Sequence, residues 1–363
     1  MDFTASEASI DLAALTRRLL QAWADSGPAI HTVAGVRPGF DVALWSRLAS
    51  AGVLDAALPQ QVGGGGFGLE EQCAILGEIG RTTAPAPYLA SIAVGAATVG
   101  RFGTPAQIER WAVPVVRGSA TVAPALAEPG PGTVVADRPD AGLRLDGART
   151  AVPSGAFADT VLVEASTPDG PVLALLDRGA RGLTIARQEV VDGDDAALLE
   201  FDGVEVPTDG VLDGAEAAAW ARRRATIGWC AWQLGVLDAA LHATAEYART
   251  REQFGKPIGS FQAVRQRLAD AYIDVDAVRL TLTEAVWRET AGLPSGEAVA
   301  TAKFWAAEAG HRVAHTAVHV HGGVGIDTDH PTHRYFVAAK RAEFALGSAT
   351  AQLRTLGRLL AGA

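Results

Sequence analysis

The spacing of apolar residues changes twice along this chain, and that succession of periods restricts the available folds more than any single residue does. From Ile10 to about Gly118 the spacing is helical, in short amphipathic segments such as Ala43 to Ala51, Leu69 to Arg81 and Pro105 to Arg117. Asp11 or Asp41, Glu70 and Thr104 stand at helix starts, and Gly52, Gly80 and Gly118 stand where helices are expected to stop. Between Thr121 and Leu212 the period falls to two, with β-branched runs at Leu143 to Thr150, Thr160 to Ala165, Val172 to Asp177, Leu183 to Arg187 and Ala197 to Phe201. Asp146-Gly147 is a pair that tolerates positive φ, and it predicts a hairpin turn. From Ala215 the helical period returns in longer segments. Val264, Leu268, Ala271, Val275, Val278, Leu282 and Ala285 alternate steps of four and three, the spacing of a bundle seam, and Ala298, Ala302, Trp305, Ala309, Val313 and Val320 repeat similarly. The expected fold is multidomain α and β: an N-terminal α-helical domain (1–120), a middle antiparallel β-barrel (121–213) and a C-terminal four-helix bundle (214–363).

A chain of 363 residues is long enough to bury such a set of cores without covalent staples. Its two cysteines, Cys73 and Cys230, lie far apart with no CxxC pair, which points to a reducing compartment and no zinc site. The N-terminus has neither a basic start nor an apolar block, and no apolar run reaches bilayer length, so a cytoplasmic protein without a membrane span is expected. A net charge of −10 argues against nucleic acid as a partner. The local basic run Arg222-Arg223-Arg224 is open to two readings, a phosphate contact or a solvated stretch near a helix start.

The most specific string is Arg251-Glu-Gln-Phe-Gly-Lys-Pro-Ile-Gly-Ser-Phe-Gln262. Its local logic is a helix end: Arg249 and Arg251 complement the dipole of a last turn, Gly255 adopts the left-handed cap, Pro257 prevents continuation and Ser260 caps the next helix. The full string also closely resembles the signature of the acyl-CoA dehydrogenase family. A second block, His319-Val-His-Gly-Gly-Val-Gly-Ile326 running on to His330-Pro-Thr-His-Arg-Tyr335, is similar to that family's C-terminal glycine segment. A third, Trp45 to Val53 with Leu58-Pro59 and Gly63 to Gly68, resembles its N-terminal helical domain.

The resemblance implies an FAD-dependent oxidoreductase that desaturates an acyl-CoA thioester, with a glutamate removing the α-proton while hydride leaves the β-carbon. In such a family a neighbouring subunit covers the adenine and diphosphate end of each flavin. Carried over residue by residue, this makes Arg251, Phe254, Gln262, His319, Gly322 and Gly323 cofactor contacts reaching across a subunit interface. The residue types suit that role: a guanidinium forks onto diphosphate oxygens, a phenyl ring stacks, and paired glycines let backbone approach a phosphate. His319 stands where the family usually has glutamine.

Other positions depart from the family. Leu346 falls where the catalytic glutamate usually lies, and Ala225 falls at the alternative base position early in the bundle. Neither takes a proton, and Glu343, three residues before Leu346, could be proposed as a substitute, but a helix turn would point it along a different direction. In the loop Leu126 to Thr133, Ala127 replaces a hydroxyl that bonds the flavin ring. In Thr150 to Gly155, Ala151 replaces a ring-neighbouring tryptophan and Pro153 a threonine. The catalytic residue is therefore unassigned. Contacts given to a neighbour survive while those serving the chain's own flavin are gone, as in the smaller subunits of α2β2 dehydrogenases that shorten steroid side chains. The expected partners are an acyl-CoA substrate, a second dehydrogenase subunit and an electron acceptor. Two alternatives stay open: a homotetrameric enzyme with an unidentified base, and a flavin-free acyl-CoA-binding or scaffold protein. Trp229-Cys-Ala-Trp232 and Phe304-Trp305 read either as interface or as core.

Overall fold

A computed structural model describes residues 3–26, 39–128, 133–138, 142–212 and 214–362. Three layers follow one another as expected. The N-terminal helices are α1 (Glu7–Asp25), α2 (Val42–Ser50) and α3 (Leu69–Thr82), then a π-helical stretch Tyr88–Ala96 that continues as α4 (Ala97–Phe102). After them, α5 (Pro105–Gln107) passes through a π turn, Ile108–Ala112, into α6 (Val113–Val116). Asp41 caps α2 by accepting from the Leu44 N–H at 2.9 Å and from Trp23 Nε1 at 2.8 Å. Thr104 and Gln107 form a reciprocal capping box on α5. Asp11 lies inside α1, whose start is capped by Ser6 Oγ accepting from the Ser9 N–H at 3.1 Å.

Gly52 and Gly118 do follow helix ends, with φ of +75° and +73°. Gly80 does not. It lies within α3, and a Cβ there would stand 2.0 Å from the Trp232 carbonyl oxygen. On the facing helix, a Cβ at Gly235 would meet the Gly77 carbonyl oxygen at 1.9 Å. These glycines are required by a close helix crossing.

The middle layer is an eight-stranded sheet: β1 (Val122–Ala125), β2 (Val134–Asp137), β3 (Leu143–Val152), β4 (Thr160–Thr167), β5 (Gly170–Asp177), β6 (Leu183–Glu189), β7 (Asp195–Val206) and β8 (Val211–Leu212). The order β6-β7-β3-β2-β4-β5-β8 is an open path among the described residues. Most neighbours are antiparallel, but β1 and β2 both run parallel to β4. Asp146-Gly147 is not a hairpin turn. Both residues lie mid-strand in β3, paired to β2 on one side and β7 on the other, where the register slips between Leu145 and Gly147. Asp146 Oδ1 accepts from the Gly203 N–H at 2.8 Å, fixing a β-bulge opposite. The tight hairpin joins β4 to β5, where Thr167 pairs with Gly170.

The last layer is helical: α7 (Ala215–Thr250), α8 (Gln262–Thr290), α9 (Gly296–His321), α10 (Pro331–Phe344) and α11 (Ala349–Leu360). Ala271, Val275, Val278, Leu282 and Ala285 of the expected seam are buried, whereas Val264 and Leu268 near the start of α8 are half-buried. Two compact units result. One comprises Met1–Leu20, Cys73–Ala84 and Thr226–Ala363, the other Gln21–Gln72 and Pro85–Ala225. The second unit holds the sheet core of Val134, Leu145, Val163, Ala174, Leu199 and Val204. Among the described residues no helix is long and apolar enough to cross a membrane, and no His, Cys, Asp and Glu cluster suits a metal ion.

Candidate functional site

The signature string begins as α7 runs out. The Arg251 N–H still donates to the Tyr247 carbonyl at 2.8 Å, and the Ile258 N–H donates back to the Arg251 carbonyl at 2.8 Å. Between them Glu252–Gln253 pairs antiparallel with Lys256–Pro257, leaving Phe254 and Gly255 as a two-residue turn with φ of +55° and +77°. This replaces the expected helix cap at Gly255: two consecutive positive φ values make a primed hairpin turn. Ser260 is not an N-cap either. It lies in the 3₁₀ turn Ile258–Ser260, and Phe261 precedes α8 without a side-chain cap bond.

Phenylalanine is a costly residue for the first turn position, since a bulky side chain at positive φ is strained by about 1 kcal/mol or more. Packing does not repay it. Phe254 is 91% exposed and meets the edge of the Phe261 ring, centroids 6.1 Å apart. Arg251 and Gln262 are exposed beside it, and among the described residues the Arg251 guanidinium has no carboxylate partner. An exposed ring held on a strained backbone is free to meet a group outside its own chain.

The second turn follows α9. His319, Gly322 and Gly323 are exposed, and Gly322 has φ of +66°. A Cβ at Gly322 or Gly323 would meet nothing within 4 Å, whereas one at Gly325 would stand 2.9 Å from Val318. The first two glycines therefore leave open backbone for an approaching group, and the third serves internal packing. One aromatic contact joins the two turns: the Tyr247 and His321 rings stack with centroids 4.2 Å apart and planes at 22°. The donor set at the turns suits a ligand that carries both phosphate and a planar ring.

Nothing comparable surrounds the base position. Leu346 is buried with φ of +55°, and its carbonyl accepts from Gln352 Nε2 at 2.8 Å. Just upstream, the buried Lys303 ammonium donates to the Ala342 and Glu343 carbonyls at 2.9 and 3.2 Å. Glu343 is not a free substitute for the missing base, because its carboxylate pairs with Lys340 Nζ at 2.5 Å and lies 3.5 Å from His311 Nδ1. Ala225 is buried on α7.

In the sheet unit, the loop expected to face the flavin ring is described up to Glu128, and residues 129–132 of it lie outside the described residues. The Ala127 N–H donates to Glu164 Oε2 at 3.0 Å. Glu164 sits in β4, a strand whose first six residues are all buried, and its other oxygen accepts from Arg222 Nη1. Arg149 donates to the Glu164 carbonyl at 3.2 Å, and burial pulls its guanidinium pKa down. Arg224, also buried, bonds Gln72 and lies over the Trp220 ring at 5.0 Å. Within the basic run, Arg224 belongs to the interior of its unit, while half-exposed Arg222 pairs with Glu164.

The Ala151 N–H donates to Gln188 Oε1 at 2.7 Å, and Pro153 has no N–H to offer. Ala127, Ala151 and Pro153 thus have no hydroxyl or indole, and the two amides among them already serve carboxylate or amide oxygens of this chain. These three side chains offer a ligand no hydrogen-bond donor. Sequence reasoning missed Glu164 and Gln188 because each is distant in sequence from the position it occupies.

The expected apolar surface is also redistributed. Trp229 and Trp232 are half-buried and pack edge to face at 5.5 Å, as do Phe304 and Trp305 at 5.8 Å. Tyr272 and Ile273 are each 63% exposed on α8, joined by Leu280 on the same helix and by Ile326 and Phe344.

Comparison with known proteins agrees with this architecture. The chain matches the model of the acyl-CoA dehydrogenase N-terminal domain over residues 14–119 and that of the C-terminal domain over residues 213–361. It is 46% identical over 370 residues to acyl-CoA dehydrogenase FadE27 of Mycobacterium tuberculosis, covering 99% of each protein. A chain in the crystal structure of the ChsE4-ChsE5 complex from the same species matches with a TM-score of 0.95 and 47% identity over 100% of both chains. A chain of the Tcur3481-Tcur3483 steroid ACAD G363A variant matches at 0.92 and 39%, covering 99% of each. With both domain models matched over most of its length and a relative nearly half identical from end to end, this chain belongs to the acyl-CoA dehydrogenase family.

Proposed function

We propose that this chain is a non-catalytic subunit of a heteromeric, FAD-dependent acyl-CoA dehydrogenase, and that it completes a partner subunit's flavin site. The observation that carries the reading is the opposite state of two residue sets in one polypeptide. The turns at Arg251–Gln262 and His319–Gly323 are exposed and open, with a strained phenylalanine presented outward. At the ring-facing positions the Ala127 and Ala151 N–H groups bond the chain's own Glu164 and Gln188, and the base positions hold Leu346 and Ala225.

On this reading Arg251 forks onto diphosphate oxygens, Phe254 stacks on a planar ring, Gln262 and His319 hydrogen-bond at its rim, and Gly322 and Gly323 admit close backbone approach. Flavin, when bound in the partner, supplies hydride acceptance, and a separate acceptor then takes the electrons. The three-domain division at 1–120, 121–213 and 214–363 belongs to the same proposal. Exposed Tyr272, Ile273 and Leu280 on α8 support assembly, since apolar side chains grouped on a free helix face call for a covering surface. A bulky acyl-CoA is the favoured substrate class, because relatives over the full length include one described as a steroid ACAD.

The test is co-production with a base-carrying family member from the same genome, measuring flavin-to-protein ratio and melting temperature on the same samples. Arg251→Ala is expected to lower flavin content without unfolding this chain, the lost contact being worth about 1.5 to 3 kcal/mol. Unchanged flavin content, or turnover by this chain purified alone, sinks the reading.

A further inference from the structure

His321 does not belong to the contact set, yet its surroundings are more closely specified than those of any residue in it. It is the last residue of α9 and is 6% exposed. Nδ1 lies 2.8 Å from the Ala317 carbonyl oxygen, a group that only accepts, so the proton sits on Nδ1. That leaves Nε2 as an acceptor, and Thr332 Oγ1, 3.3 Å away, donates to it. Thr332 is the second residue of α10, and its own N–H donates to His330 Nδ1 at 3.3 Å. The imidazole face lies on Tyr247, one turn before Arg251. A single ring thus ties the end of α7, the end of α9 and the start of α10.

The two turns flank that ring. Arg251 follows Tyr247 by four residues, with its N–H bonded to the Tyr247 carbonyl, and Gly322 follows His321 directly. We infer that His321, held as the Nδ1–H tautomer against Tyr247, is a positioning residue that sets the distance between the Arg251–Phe254 turn and the Gly322–Gly323 turn. This rests on the function proposed above and adds to it which residue keeps the two turns in register for one ligand. The physical requirement is strict: contacts to a diphosphate and to its attached ring must be made together, and a misplacement of about 1 Å at either turn forfeits one of them.

The inference is tested in two measurements on the full chain. Long-range proton–nitrogen NMR on the isolated protein should show a histidine held as the neutral Nδ1–H tautomer whose signal is absent from His321→Phe. A free mixture of tautomers at that residue would overturn the assignment whatever the partner does. In the co-produced complex, His321→Phe keeps the stacked face and volume but loses both hydrogen bonds, and Thr332→Val loses only the Nε2 bond. Each should release FAD about tenfold faster, a change of about 1.4 kcal/mol, with an unchanged fold by circular dichroism. Tyr247→Leu should do the same, whereas Tyr247→Phe, which restores the aromatic face, should return slow release. If Arg251→Ala loses flavin while His321→Phe and Thr332→Val retain it, the positioning role is wrong and the wider reading stands. If all three retain it, both fail.

Discussion

Replacing Arg222 by Met tests how firmly the ring-facing side of this chain is closed. Glu164 is only 5% exposed at its side chain, and the variant takes the Arg222 guanidinium from its carboxylate while leaving the Ala127 N–H and the nearby charge of Arg149. Breaking a buried pair by removing one partner typically costs about 3 to 5 kcal/mol. The Arg222 side chain is 35% exposed, so water can reach part of the vacated space and the lower end, about 3 kcal/mol, is expected. With an unfolding entropy of about 0.8 kcal/mol per kelvin for a chain of this length, that is a fall of about 4 °C in melting temperature. Glu164→Gln should be milder, about 1 kcal/mol, because the amide oxygen still accepts from Ala127 and Arg222 turns to water. The double variant should lose about 2 kcal/mol, less than Arg222→Met alone and about half the additive sum, a coupling of about 2 kcal/mol from urea unfolding of the wild type, both singles and the double. Additivity within about 0.5 kcal/mol would refute the claim that Arg222 acts by neutralising Glu164.

Phe254→Gly relieves a left-handed phenylalanine and should hold or raise the melting temperature of this chain alone while lowering flavin content in the complex; a lower melting temperature with unchanged flavin content would show that Phe254 only packs its own turn. Cys230 is fully buried, and burial pushes its thiol up from 9.0 to about 12. Iodoacetamide at pH 8 should therefore label half-buried Cys73 and spare Cys230 in the folded chain. The unfolded thiol ionises first, so the stability that Cys230 contributes should be complete below pH 9.0 and disappear as pH rises toward about 12, as read by urea unfolding.

Much of the architecture was legible because it rests on periodicity. The bundle seam, the five strand runs and the layer order all follow from which positions must face away from water, and a period of two or of three and four is visible without neighbours. Turn chemistry was less transferable. Asp146-Gly147 has the composition of a hairpin, but β2 and β7 flank it on both sides, and pairing in a sheet overrides a local preference. Gly255 was read as a cap because its positive φ was anticipated, while the positive φ of Phe254 was not, and two such residues in succession change a cap into a hairpin. Gly80 had the position of a helix stop and the function of a crossing.

Within the site, the string Arg251 to Gln262 and the glycines at 322 and 323 were visible as motifs. The occupants of the ring-facing side were not. Glu164 reaches Ala127 from across 37 positions and Arg222 reaches Glu164 from across 58, so no local pattern announces either contact. A carboxylate in the middle of the apolar run Thr160 to Ala165 was the one available signal, since a charge placed where every neighbour is buried must have a partner.

That carboxylate also bears on descent. A lineage that lost its flavin ring contacts by drift alone could regain them one substitution at a time. Here the vacated amide has been taken by Glu164, and Glu164 is matched to Arg222, so the two have become mutually dependent. Restoring a hydroxyl at Ala127 leaves Glu164 on the Ala127 N–H, and removing the carboxylate takes a counterion from Arg222. Removing it first therefore lowers stability before it returns any chemistry. On the reading proposed here, specialisation of the two subunits behaves as a ratchet, held in place by the folding of the idle half.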